Sequence, residues 1–178
     1  ASHGTSIYTI DFTTPNAAFP ASGADVKHTV TGSTGDWQFV NFNDRLHCFH
    51  EGIVPQRYDG ALGSGSKWAA FDNSTKPSGV TTFDPSCGMG YYGRMFVGGV
   101  TEEKDVVHYS VLLDSDDFTG TGSGLIDLKK VWGTDEIVNI AAFFGKLVIF
   151  GKNNIAIYDN PADIANATLD EVISGIGL

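Results

Sequence analysis

Ile137–Asp159 reads IVNIAAFFGKLVIFGKNNIAIYD. An apolar strand leads into Phe144-Gly145, a two-residue turn. Lys146-Leu147 opens a second apolar strand, a polar Lys152-Asn153-Asn154 loop follows, and a third strand carries Tyr158. β-Branched and aromatic residues fit a pleated surface, and glycine accepts the positive φ that a tight hairpin needs. Polar alternation is almost missing from Ile137 to Phe150, which predicts a hairpin covered on both faces and the most buried part of the chain. On that expectation Phe143→Ala costs about 3–5 kcal/mol.

Two earlier segments repeat the pattern. Trp37–Asp59 is WQFVNFNDRLHCFHEGIVPQRYD, with its turn at Asn43-Asp44, and Gly90–Leu113 is GYYGRMFVGGVTEEKDVVHYSVLL. The basic–apolar pairs Arg45-Leu46, Arg94-Met95 and Lys146-Leu147 are spaced 49 and 52 residues apart; Tyr58, Tyr109 and Tyr158 are spaced 51 and 49. A period near 50 fits propeller blades of about four strands each. The expected fold class is therefore all-β, with about three β-propeller-type blades at residues 34–86, 87–132 and 133–178. Residues 1–33 form an N-terminal segment with strands at Ser6–Phe12 and Val26–Val30. One very short helix is expected from about Ala162 to Asn166, with Asn160 as cap and Pro161 at its first position. Three blades do not close a ring, so further chain or neighbouring subunits must cover the open faces. The chain starts at Ala1 rather than Met, and Ile173–Leu178 reads as a strand cut short; both predict a piece of something longer.

Composition sets the broad class. Apolar residues make up 42% of the 178 residues and charged residues 18%, the profile of a chain with a core rather than a disordered one. A net charge of −10 repels phosphate, which argues against grip on nucleic acid but not against proximity to it. No run is long and apolar enough for a membrane span. Cys48 and Cys87 are too few for a disulfide scaffold and fall at non-equivalent repeat positions, so they are expected as buried, unpaired thiols.

Chemistry-bearing motifs are sparse. Nucleophile elbow, Walker loop and dinucleotide fingerprint are all missing, and the glycine-rich stretches Gly60–Ser66 and Gly120–Gly124 read as surface loops. His47, Cys48 and His50 lie on a strand, where only Cys48 and His50 share a face: a weak zinc pattern. Asp114, Asp116 and Asp117 are the best calcium candidates, but Phe118 and Thr119 occupy positions where a helix–loop–helix calcium loop wants an oxygen ligand and glycine. Ser115 and Asp117 partly match the structural Asp-box turn of sialidase propellers. A sialidase also needs clustered arginines, and the chain has only Arg45, Arg57 and Arg94. Trp68 and Tyr91-Tyr92 are the aromatics on which a glycan-binding module would stack a sugar. No residue is assigned as catalytic, cofactor-binding or metal-binding.

GRMFVGG (Gly93–Gly99), HYSVLLDSDDFT (His108–Thr119), IDLKKVW (Ile126–Trp132), VNIAAFFGKLVIFGKNNIAIYDNP (Val138–Pro161) and VISGIG (Val172–Gly177) occur in this order. In that order and spacing they resemble the tail nozzle proteins of short-tailed, T7-like bacteriophages, also called tail tubular protein B. The resemblance implies a large subunit containing a β-propeller. Six copies would form a ring below portal and adaptor, near the tail fibres, around the channel through which DNA leaves. It implies a virion tail protein assembled in the host cytoplasm, without enzymatic activity or cofactor and without tight nucleic-acid binding. A reducing assembly compartment also fits unpaired thiols. The competing expectations are a glycan-binding propeller module and a glycoside-acting enzyme, which would set paired carboxylates ~5–10 Å apart in a cleft.

Overall fold

The computed structural model describes residues 2–3, 6–8, 27–33, 36–59 and 67–178. Three strands, β1 (Ser2–His3), β2 (Ser6–Tyr8) and β3 (Lys27–Thr29), form a small N-terminal sheet. Three four-stranded antiparallel sheets follow, each built from consecutive strands. The first contains β4 (Gln38–Phe42), β5 (Arg45–His50), β6 (Ile53–Asp59) and β7 (Trp68–Ala70). The second contains β8 (Cys87–Tyr91), β9 (Arg94–Gly98), β10 (Val106–Tyr109) and β11 (Gly124–Asp127). The third contains β12 (Ile137–Phe143), β13 (Lys146–Gly151), β14 (Asn154–Asp159) and β15 (Thr168–Ser174). Each sheet meanders outward from its first strand to its fourth, as short hairpin connections dictate.

The hairpin turns explain the repeat. Asn43-Asp44, Tyr92-Gly93 and Phe144-Gly145 each place two consecutive residues at positive φ. That geometry matches the right-handed twist of the strands it joins. The basic residue just after each turn begins the second strand. Arg45 and Lys146 each reach a carboxylate at the end of the third strand, Asp59 and Asp159, both at 3.0 Å. Arg94 finds no acid there and donates to the carbonyls of Ser110 and Gly122 at 2.7 Å.

The sheets pack face on face. Phe42 and Phe49 of the first pack with Met95 and Val97 of the second, over Phe71, Val80, Phe83 and Phe118 from the connecting segments. Cys87, Phe96 and Val107 of the second pack with Ile140, Leu147, Ile149, Ala156 and Tyr158 of the third. The outer face of the first sheet is covered by the N-terminal segment, where Ile7 meets Trp37, Cys48 and Trp68. First strands sit closest together, with β8 against both β4 and β12. Gln38 on β4 joins all three sheets: it accepts from Gly88 N at 2.7 Å and donates to Asn139 Oδ1 at 3.2 Å. Close approach depends on glycine, since a Cβ at Gly88 would lie 2.5 Å from the Phe49 ring.

Several expectations need correction. The Ile137–Ile149 hairpin is not buried throughout: Phe143 is 64% exposed and Phe144 87%. Burial belongs to the second strand, where Leu147 and Ile149 face the second sheet; β12 alternates, and its last residues run past the core to a projecting tip. Tyr109 is not the counterpart of Tyr58 and Tyr158. Those two oppose Leu46 and Leu147, whereas Tyr109 opposes Phe96, and Ser110 bonds Met95 in the corresponding place. The short helix is a 3-10 turn over Pro161–Asn166, and Asn160 is left-handed without a side-chain cap. A one-turn α-helix, Lys129–Trp132, lies where none was expected. Of the two N-terminal strand expectations, residues 9–12 and 26 lie outside the described residues, as do Gly60–Ser66.

Candidate functional site

The acidic loop between β10 and β11 is the densest polar feature singled out by the sequence, and it folds back onto the first sheet. Asp116 accepts from Arg45 Nη1 at 3.0 Å and from Arg57, while Arg45 Nε also bonds Asp59 at 3.0 Å. The backbone closes the contact: Thr75 Oγ1 donates to Asp116 O at 2.6 Å and Phe118 N to Thr75 O at 3.0 Å. The flanking acids turn elsewhere. Asp114 Oδ1 accepts from Asp116 N at 3.0 Å. Asp117 accepts from Thr119 N at 2.8 Å and Gly120 N at 2.9 Å, and these backbone donors hold its carboxyl below the usual range. Three carboxylates engaged with three separate sets of partners are braces for a loop and an inter-sheet joint, not a converging cation shell.

The His47-Cys48-His50 strand divides its side chains as the strand period requires. Cys48 is fully buried against Trp37 and Trp68, and the His50 ring lies tilted against Trp37 with ring centroids 5.0 Å apart. His47 points to the other face, 4% exposed, and its Nε2 has no hydrogen-bond partner. Burial first, then the nearby Arg45 and Arg57 guanidiniums, push its pKa down to about 4. Both thiols are free and buried, and burial pushes each up to about 12. Among the described residues no group of three or more His, Cys, Asp or Glu is arranged to hold a metal. Trp68 is 5% exposed, between His28 at 5.0 Å and Tyr58 at 5.2 Å, so its ring faces are taken. Arg45 and Arg57 meet at Asp116, while Arg94 holds carbonyls beside Tyr109.

A second polar centre escaped the sequence reading. Asp135 is buried before β12 and accepts from Asn153 N at 3.0 Å, Asn154 Nδ2 at 2.9 Å and Glu136 N at 2.9 Å. Burial works to raise its pKa, but these hydrogen bonds together outweigh it and hold the carboxyl below the usual range. Beside it Glu136 pairs with Lys152 at 2.7 Å and Lys104 at 3.2 Å, and Lys104 reaches Glu51 at 3.5 Å. Lys104, Asp135, Glu136, Lys152 and Asn153 border a polar cleft of about 490 Å³. Isolated acids in loops give no periodic signal, and only folding brings Glu51, Lys104, Glu136 and Lys152 together. Chemically, each of these polar centres neutralises charge and joins neighbouring sheets. No protein-family model matches the chain, and no curated protein matches it.

Proposed function

We propose that the chain is a wall-forming segment of the tail nozzle of a short-tailed, T7-like bacteriophage, its three sheets being successive blades of a β-propeller. The observation that carries the reading is the repetition: three meandering sheets of the same strand order, each packed on the next in the same sense, with adjoining first strands. Radial stacking of four-stranded meanders is what a propeller requires. The third sheet keeps a partly covered apolar face. Phe150 on β13 and Ile155 and Ile157 on β14 point away from the second sheet and are half-buried, and a further blade or subunit would complete their burial. The polar centres join sheets, as suits a wall; of the aromatics that a glycan reading needs, Trp68 is enclosed and Tyr92 stands half-exposed at a turn. In this reading copies assemble as a ring of six in the virion tail, next to portal, adaptor and fibre proteins, with no enzymatic role.

The gene is then expected beside portal and tail-tube genes. Duplex DNA titrated at about 0.15 M salt should bind no tighter than the ~10⁻⁴–10⁻⁶ M of non-specific contact. A neighbourhood of carbohydrate-processing genes together with turnover of a glycan panel, or nanomolar DNA affinity, overturns the reading.

A further inference from the structure

Antiparallel connectivity gives the molecule two unlike ends. The connections between second and third strands lie at one end, where Glu51, Lys104 and Lys152 meet through Glu136. The turns between first and second strands therefore lie at the other. There Asn43 Nδ2 donates to Leu113 O at 2.5 Å and Leu113 N donates to Gly93 O at 2.6 Å, which ties two of the three tips together. This end is apolar: Tyr92 is 49% exposed, Leu112 58%, Leu113 65%, Phe143 64% and Phe144 87%.

The fold does not account for these side chains. Tyr92 and Phe144 sit at φ 44° and 47°, where a bulky residue is strained and where Asn, as at position 43, is the easier occupant. The five side chains, grouped at the second and third tips, together leave roughly 500 Å² of apolar surface in water, comparable in total to a functional patch. Asp44, Asp114 and Asp163 are exposed at the same end and have no ion-pair partner among the described residues. Acids still outnumber bases here: Arg45 is held by Asp59 and Asp116 and Lys146 by Asp159 and Asp170, while Arg94 donates to two carbonyls and Lys67 lies beside Asp59.

We propose that this end is a docking surface for a protein partner that presents an apolar centre with a rim of Lys or Arg. Charge complementarity selects that occupant. A second copy meeting end to end would set acid against acid, and cell membranes present neutral or anionic headgroups. The patch is smaller than the ~800 Å² per partner of a standard interface, so docking by these tips alone is weak, on the order of micromolar, and salt-dependent. The proposal stands apart from the tail reading.

The test uses the full 178-residue chain. A labelled amphipathic Leu/Lys peptide is titrated beside its Leu/Glu counterpart, with zwitterionic vesicles and sedimentation of the chain alone as further arms. The Leu/Lys peptide is expected to bind in the micromolar range and to weaken steeply between about 0.05 and 0.5 M salt. Phe143→Ser with Phe144→Asn should lower that affinity at least tenfold without lowering the melting temperature. Asp44→Asn with Asp114→Asn should lower it severalfold and flatten the salt dependence. Failure to bind the Leu/Lys peptide, equal binding of the Leu/Glu peptide, or unchanged binding by the aromatic variant overturns the proposal. So does vesicle binding or self-association that the aromatic substitutions abolish.

Discussion

Phe96 and Phe143 have the same chemistry and opposite environments. Phe96 is fully buried between the second and third sheets, and Phe143 stands in solvent with Phe144, ring centroids 4.5 Å apart. Phe96→Ala should therefore cost about 3–5 kcal/mol, through lost transfer energy and a cavity. Phe143→Ala should stay within about 0.5 kcal/mol of wild type; equal losses in urea titration would contradict this division. His47 makes stability depend on pH. Its folded pKa of about 4 lies below the ordinary 6.5, so the unfolded chain takes up the proton first. Its contribution is complete above about pH 6.5 and is lost as pH falls toward 4. At pH 5 the wild type should have lost about 2 kcal/mol that His47→Gln does not lose. Parallel denaturation of both proteins at pH 7 and pH 5 measures the difference, and identical losses would refute the assignment.

Among the elements, the β10–β11 loop does the most to couple neighbouring sheets. Its carboxylate at Asp116 pairs with Arg45 and Arg57 of the first sheet, and its Phe118 fills the core between the first and second. Asp116→Asn keeps the shape but leaves the half-buried Arg57 guanidinium without its counter-charge, while Arg45 keeps Asp59, at a cost of about 2–3 kcal/mol. The loss should shrink when Arg57→Met accompanies it, because the second substitution removes the stranded charge. Additive losses in that double-mutant cycle would show that the pair is not coupled. The corresponding hairpins differ in what their anchors hold. Arg45 and Lys146 have cross-strand acids, while Arg94 has carbonyls and the face of Tyr109 with its centroid 5.7 Å away.

For the molecule as a whole, burial runs through shared cores rather than within single sheets, since each of the two larger clusters draws on two neighbouring sheets. The third sheet is the exception: one face contributes to such a core, and the other, with Phe150, Ile155 and Ile157, is only half-buried. A polar substitution on that half-buried face, Ile155→Lys, should change stability by less than about 1 kcal/mol while lowering concentration-dependent light scattering. A loss of several kcal/mol would mean that the face is already packed.

Local chemistry alone determined a good deal. The turn residues Asn43-Asp44 and Phe144-Gly145, the basic–apolar pairs that follow them, and the spacing near 50 mark three meandering sheets, because hairpin geometry and strand composition act between neighbours in the chain. The burial of both thiols was legible for the same reason. Folding decided everything that depends on which face meets which sheet. Apolar density could not distinguish Leu147, pressed against the second sheet, from Phe143 four residues earlier, because hydrophobicity is not direction. A one-residue register difference moved Tyr109 to the opposite face from Tyr58 and Tyr158, which a spacing of about 50 cannot resolve. The Arg45–Asp116–Arg57 joint, the Gln38 bridge and the Glu136 network join residues dozens of positions apart. Their partners are set by sheet-on-sheet packing, so only the tertiary structure could assign them.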